Sequence, residues 1–140
     1  MVAICGFHPK AIVLLGAFHP LRPIDTLINK DFRSYIKRVL SFHTTEICGL
    51  ICGNSLFFLK NLSLRPADTF FIDPKKHVEI IEHKKIDFCF HSHPKTSCEP
   101  SSLDIELSNN ALIPFLIFSG IEDKVCLYDP STQETIYFSN

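Results

Sequence analysis

Ile86-Asp87-Phe88-Cys89-Phe90-His91-Ser92-His93-Pro94 decides how this chain is read, because it sets two histidines at the end of an apolar strand. Side chains on a strand alternate between faces, so His91 and His93 project from the same side, where two imidazoles can share one metal ion. Pro94 stops the strand at once and leaves both histidines facing a loop rather than a core. Seven residues, Pro94 to Pro100, then lead to Ser101-Ser102-Leu103-Asp104. Ser-x-x-Asp has a local meaning of its own, as a helix start in which both side chains satisfy free backbone donors. Taken singly, a strand histidine is usually a satisfied polar group, and Ser-x-x-Asp is usually a cap. Their joint spacing, with the acidic Glu46 upstream at the start of a buried strand, turns the reading toward a metal site.

Outward from this segment the chain alternates strands and helices irregularly. Ile24 to Ile28 reads as a strand, and Asn29 caps a helix from about Lys30 to Phe42 whose apolar stripe is Phe32, Tyr35, Ile36, Val39 and Leu40. Glu46 to Cys52 reads as a buried strand, turned by Gly53-Asn54-Ser55 into a second strand from Leu56 to Leu64. Asp73-Pro74 opens a helix to about Lys84, and Ser101 opens another to about Asn110. Pro114 to Ser119, Lys124 to Asp129 and Glu134 to Phe138 read as closing strands. The expected class is a mixed α/β (α+β-like) fold, with a curved, mostly antiparallel sheet flanked by helices. Residues 1–23, punctuated by His8-Pro9, His19-Pro20 and Arg22-Pro23, read as an extension of unknown role outside the main fold; 24–140 form one domain.

Composition narrows the function classes. With 14 Lys and Arg against 15 Asp and Glu, the net charge of -1 gives no electrostatic case for nucleic acid or an anionic membrane as partner. The apolar run Ala11 to Phe18 is too short to span a bilayer. Of the six cysteines, Cys48, Cys52, Cys89 and Cys126 sit inside apolar runs and read as small buried hydrophobes, which points to a reducing cytoplasm. No CxxC pair supports a cysteine-held zinc. A zinc deaminase needs His-x-Glu with a later Pro-Cys-x-x-Cys, which does not occur. His77 and His83 flank Val-Glu-Ile-Ile-Glu, which is not a zincin helix, and read as exposed helix histidines. Nothing specifies a partner for Cys89 or Cys98 as a nucleophile.

Glu46, then His91-Ser92-His93, seven residues, Ser101, two residues and Asp104 resembles the JAMM/MPN+ metalloprotease signature at every named position. Thr45 to Gly53 looks like that family's glutamate-bearing strand, and Pro66-Ala67-Asp68 to Asp73-Pro74 like its loop before the second helix. The resemblance covers roughly residues 24–138 and implies an MPN (cytidine-deaminase-like) fold. It implies one Zn2+ per chain with a metal-bound catalytic water, held by His91, His93 and Asp104. Glu46 is then the general acid/base and Ser101 the hydroxyl that supports the oxyanion. The implied reaction is hydrolysis of a peptide or isopeptide bond in a flexible C-terminal tail, of a ubiquitin-like protein or of a phage tail component. The short stretch from Asp104 to Pro114 has no room for the insertion that grips ubiquitin in larger members, so the chain resembles the compact prokaryotic or phage-tail-associated form. A tail is expected to lie extended along a strand edge beside the metal, with glycine next to the scissile bond. The alternative is a non-catalytic MPN scaffold, and a partner protein fits either reading. Scaffold members usually lose several motif residues, and this chain keeps all of them.

Overall fold

The computed structural model describes residues 11–13, 30–53, 55–122 and 124–139. The strand expected at Ile24 to Ile28 and the cap at Asn29 lie outside them, as do the side-chain surroundings of Phe32. Seven strands form one sheet: β1 (Ala11–Val13), β2 (Cys48–Cys52), β3 (Ser55–Leu59), β4 (Phe88–His93), β5 (Phe115–Ser119), β6 (Lys124–Asp129) and β7 (Glu134–Ser139). Three helices, α1 (Lys30–Leu40), α2 (Pro74–Ile81) and α3 (Ser102–Ala111), complete the described elements. The strand order is β1-β3-β2-β4-β5-β6-β7, and every pairing is antiparallel except β4 with β5. This is the mixed α/β class with a mostly antiparallel sheet. Three residues of the segment expected outside the main fold, Ala11–Val13, pair with Phe57, Leu56 and Ser55 at the sheet edge.

Strand alternation builds two cores. On one face Ile51, Phe58, Phe90, Leu116 and Leu127 cluster around Ile36 of α1, with Tyr35, Val39 and Leu40 packed against them. Phe90 meets Phe58 and Phe118 edge-on, at centroid separations of 5.4 and 6.3 Å. On the other face Leu50, Phe57, Leu59, Cys89 and Phe115 pack under Ile80 of α2 and Leu107 of α3. With both faces covered, β4 is buried at every position, which is why it reads as a continuous apolar run interrupted only by its functional residues.

The single parallel pairing positions everything that follows. Parallel neighbours cannot be joined by a tight turn, so the chain must travel from the end of β4 back to the start of β5, and α3 is that return. The first turn of α3 is therefore delivered beside the end of β4. Ser101 caps α3 with a full capping box: its Oγ accepts from the Asp104 amide, and the Asp104 carboxylate accepts from the Ser101 amide. The helix ends at Leu112, which takes the left-handed conformation at φ 57°.

Three expectations are corrected. The strand expected from Leu56 to Leu64 is regular only over Ser55–Leu59, because the next backbone opposite it, Glu46, gives its amide to Pro66 O and takes the Asn61 side chain on its carbonyl. Cys126, expected as a free buried thiol, is joined to Cys98 in a disulfide that ties the loop after β4 to β6. Cys48, Cys52 and Cys89 are free and buried as expected. Finally, β4 has hydrogen-bonded neighbours on both sides among the described residues, so a strand edge that takes a tail would have to be one other than β4. No helix among the described residues is long and apolar enough to cross a membrane.

Gly49, opposite Phe90 on β4 and Phe58 on β3, allows the three central strands to close. A Cβ there would run into the Phe57 carbonyl oxygen and the Phe90 ring, neither of which can yield without moving the core. Gly49→Ala is expected to destabilise the protein by about 1–3 kcal/mol through overpacking. Chemical denaturation measures this, and an unchanged midpoint would show that the strands have slack.

Candidate metal centre

His91 and His93 lie on the same face of β4, and Asp104 reaches them from the first turn of α3. The His91 Nε2 is 3.1 Å from Asp104 Oδ1, and the His93 Nε2 is 3.2 Å from Asp104 Oδ2. One ligand atom from each residue falls within 4.8 Å of the others, and all three residues are buried. Donors bonded to zinc at roughly 2.0–2.2 Å in a tetrahedron stand about 3.3 Å apart, so both nitrogen–oxygen spacings suit one ion.

The hydrogen bonds separate the two imidazoles. The His93 Nδ1 donates to the Ser97 carbonyl at 2.8 Å, which fixes the ring and turns Nε2 inward. His91 is fully buried, yet neither of its ring nitrogens makes a hydrogen bond. Its approach to Asp104 brings charge close without aiming an N–H at the oxygen. A buried unpartnered imidazole nitrogen costs free energy unless something else takes its lone pair, and a cation shared with His93 and Asp104 does so. The donor set of two imidazoles and one carboxylate is that of catalytic zinc sites, which keep a fourth position open.

Burial keeps His91 below the usual histidine range, with the His93 charge in the same direction and the Asp104 carboxylate opposing. A neutral imidazole is the form a metal takes. Burial also acts against charge on His93, but Asp104, the Ser97 carbonyl and Glu46 together raise it above its ordinary value. Burial would raise the Asp104 carboxyl, yet the two histidines and the Ser101 amide hold it well below the carboxylate range. Asp104 is therefore favoured in its ionised form.

Glu46 enters from the opposite side. It precedes β2 rather than opening it, and the ladder is extended to its neighbour by Ser92: the Ile47 amide donates to Ser92 Oγ at 2.9 Å, and the Ser92 amide donates to the Ile47 carbonyl at 3.0 Å. The Glu46 amide donates to Pro66 O, and the Asn61 side chain donates to Glu46 O at 2.9 Å. The residue is only 5% exposed. Burial pushes its carboxyl up to about 8; the His93 charge pulls down, while Asp104 and Asp68 push up.

Of the five residues singled out in the sequence, His91, His93 and Asp104 meet at one end of β4, Ser101 is bonded to Asp104 in the capping box, and Glu46 lies close enough for His93 and Asp104 to shift its titration. The Ser101 Oγ accepts from Asp104 N at 3.1 Å, which leaves its own proton free to donate. Three contributors were not singled out. Phe70 stacks on His91 with ring centroids 4.4 Å apart, Ser92 anchors the approach to Glu46, and Asn61 holds the Glu46 carbonyl. Only Ser92 carried a signal, as the residue between the histidines. Among the described residues the cysteines offer no nucleophile: burial pushes Cys48 up to about 12, Cys52 up to about 11 and Cys89 well above the usual thiol range, and Cys98 and Cys126 are in the disulfide. His77 is half-buried and His83 exposed.

No family model matches the sequence. Among curated proteins, the chain is 28% identical over 89 residues to the tail tip assembly protein K of Escherichia phage N15, over 61% of this chain and 37% of that protein. The chain therefore spans little more than a third of that relative's length. Among solved structures, protein DSY2949 from Desulfitobacterium hafniense superposes with a TM-score of 0.56 at 22% identity, over 76% of this chain and 86% of that one. Identity that low makes this a likeness of fold alone.

The raised Glu46 carboxyl has a consequence for stability without metal. Its folded value of about 8 lies above the usual 4.5, so the folded state holds an extra proton between those pH values. That contribution is fully present below 4.5 and is lost as pH rises through about 8. Chelator-treated wild type should therefore lose stability relative to Glu46→Gln as pH rises from about 5 to 9, by an amount on the order of a few kcal/mol. Parallel Tm–pH curves for the two proteins would show that Glu46 is not held neutral.

Proposed function

We propose that this chain is a zinc-dependent peptidase of the JAMM/MPN+ type, which hydrolyses a peptide or isopeptide bond in a flexible protein tail. The observation that carries this reading is the convergence of ligand atoms of His91, His93 and Asp104 within 4.8 Å, with both His91 nitrogens lacking a hydrogen bond and the buried Glu46 close enough to feel His93 and Asp104. His91, His93 and Asp104 would hold the ion. When bound, zinc supplies Lewis acidity, making water acidic enough to ionise near neutral pH and polarising a carbonyl.

The remaining work falls to the chain's own groups. A cation beside Glu46 favours its ionised form, so the carboxylate can take a proton from water and return it to the leaving amine. Ser101 keeps its hydroxyl proton available and can donate it to negative charge developing on the substrate carbonyl oxygen. Phe70 and Phe115 cover His91 and keep water from competing for that ligand. Since both sides of β4 are occupied, a tail would approach across the side-chain face, and glycine next to the scissile bond eases that approach.

The similarity to a phage tail tip assembly protein favours a phage tail component over a ubiquitin-like protein as substrate. The same similarity suits a non-catalytic assembly module. Metal and activity separate the two readings. Purified protein should carry about one zinc per chain, and His91→Ala or Asp104→Ala should lose it. Glu46→Gln should keep zinc and lose about a hundredfold or more in kcat on tail peptides. Peptides with Gly before the scissile bond should turn over faster than those with Leu. Wild type that takes up no zinc, or that matches Glu46→Gln in rate, would overturn the enzymatic reading.

A further inference from the structure

Asn61 spends its whole amide on the candidate site. Its Nδ2 donates to Glu46 O at 2.9 Å and to Thr69 O at 3.0 Å. Its Oδ1 accepts from the Phe71 and Ser63 amides, each at 3.0 Å. Two carbonyls on one end and two amides on the other fix the orientation, since a flipped amide would face like against like at all four contacts. The Thr69 and Phe71 bonds bracket Phe70, the ring that stacks on His91. One half-buried side chain therefore ties the backbone of the carboxyl residue to the residue covering the first histidine.

We infer that Asn61 is a positioning residue of this centre, holding Glu46 and the Phe70 cover in fixed relation across the metal cradle. The inference rests on the reading of Glu46 as the base. Its effect passes through placement of Glu46 and not through contact with substrate or ion. A displacement near 1 Å is enough to slow a reaction about a hundredfold; the Glu46 amide and carbonyl are held by Pro66 and Asn61, while Ile47 beside it is tied to Ser92.

Asn61→Asp keeps the shape and both acceptor bonds but replaces the two donors with an oxygen facing two carbonyls. The zinc-loaded variant should retain one zinc per chain and a KM within about twofold, while kcat on a tail peptide falls at least about tenfold. In the Glu46→Gln background the same substitution should change kcat by less than about twofold, because the group it positions is already disabled. Equal losses in the two backgrounds, or an unchanged kcat in the first, would overturn the positioning role. Amide hydrogen exchange supplies a readout independent of turnover. The Glu46 amide should lose at least about tenfold in protection in Asn61→Asp, while Ile105 in α3 stays as in wild type. Unchanged Glu46 protection overturns the inference even where kcat falls. If wild type cleaves no tail yet Glu46 protection drops, the tether stands and the reading of Glu46 as a base fails.

Discussion

The parallel pairing of β4 with β5 is the constraint on which the rest depends. It forces a return crossing over one face of the sheet, and the start of that crossing helix must lie where β4 ends. Two histidines on that strand end and a carboxylate in the first helical turn then come together by topology rather than by long-range search. The capping box finishes the placement: the bonds that begin α3 also aim the Asp104 carboxylate.

Because Asp104 serves as cap and as partner to both histidines, helix stability and site electrostatics share one group. The carboxylate is held ionised by neighbours that are themselves buried, and His91 is held neutral by the same burial. The arrangement sets two imidazole nitrogens against one negative charge in a place with little water. Such a cluster is poorly satisfied by protein alone, and that is the physical reason for reading it as a cradle for a cation.

The parts legible in the sequence were those with local periodicity or local chemistry. The same-face histidines, the Ser101 cap, Asp73-Pro74 at the start of α2 and the α1 stripe around Ile36 all follow from spacing within a few residues. What was not legible depends on contacts across the fold. Asn61 reads as one residue of the strand expected from Leu56 to Leu64 until its amide is seen bonded to positions 46, 63, 69 and 71. Phe70 reads as part of a loop and becomes the ring over His91. Cys126 reads as core filler, and its partner lies 28 residues away in a loop whose composition is polar.

The loop between His93 and Asp104 is fastened along its length. Thr96 O accepts from Ser119 Oγ, Ser97 O accepts from His93, Cys98 is bonded to Cys126, and Pro94 O lies against Gly120. A chain so fastened has almost nowhere to lengthen, since an added residue would have to loop out between two fixed points only a few residues apart. Diversity in what such a protein grips must then come from elsewhere. Leu62, Leu64 and Phe71, all exposed in the segment around the Asn61 bonds, mark side chains that can vary while the backbone beneath them stays fixed.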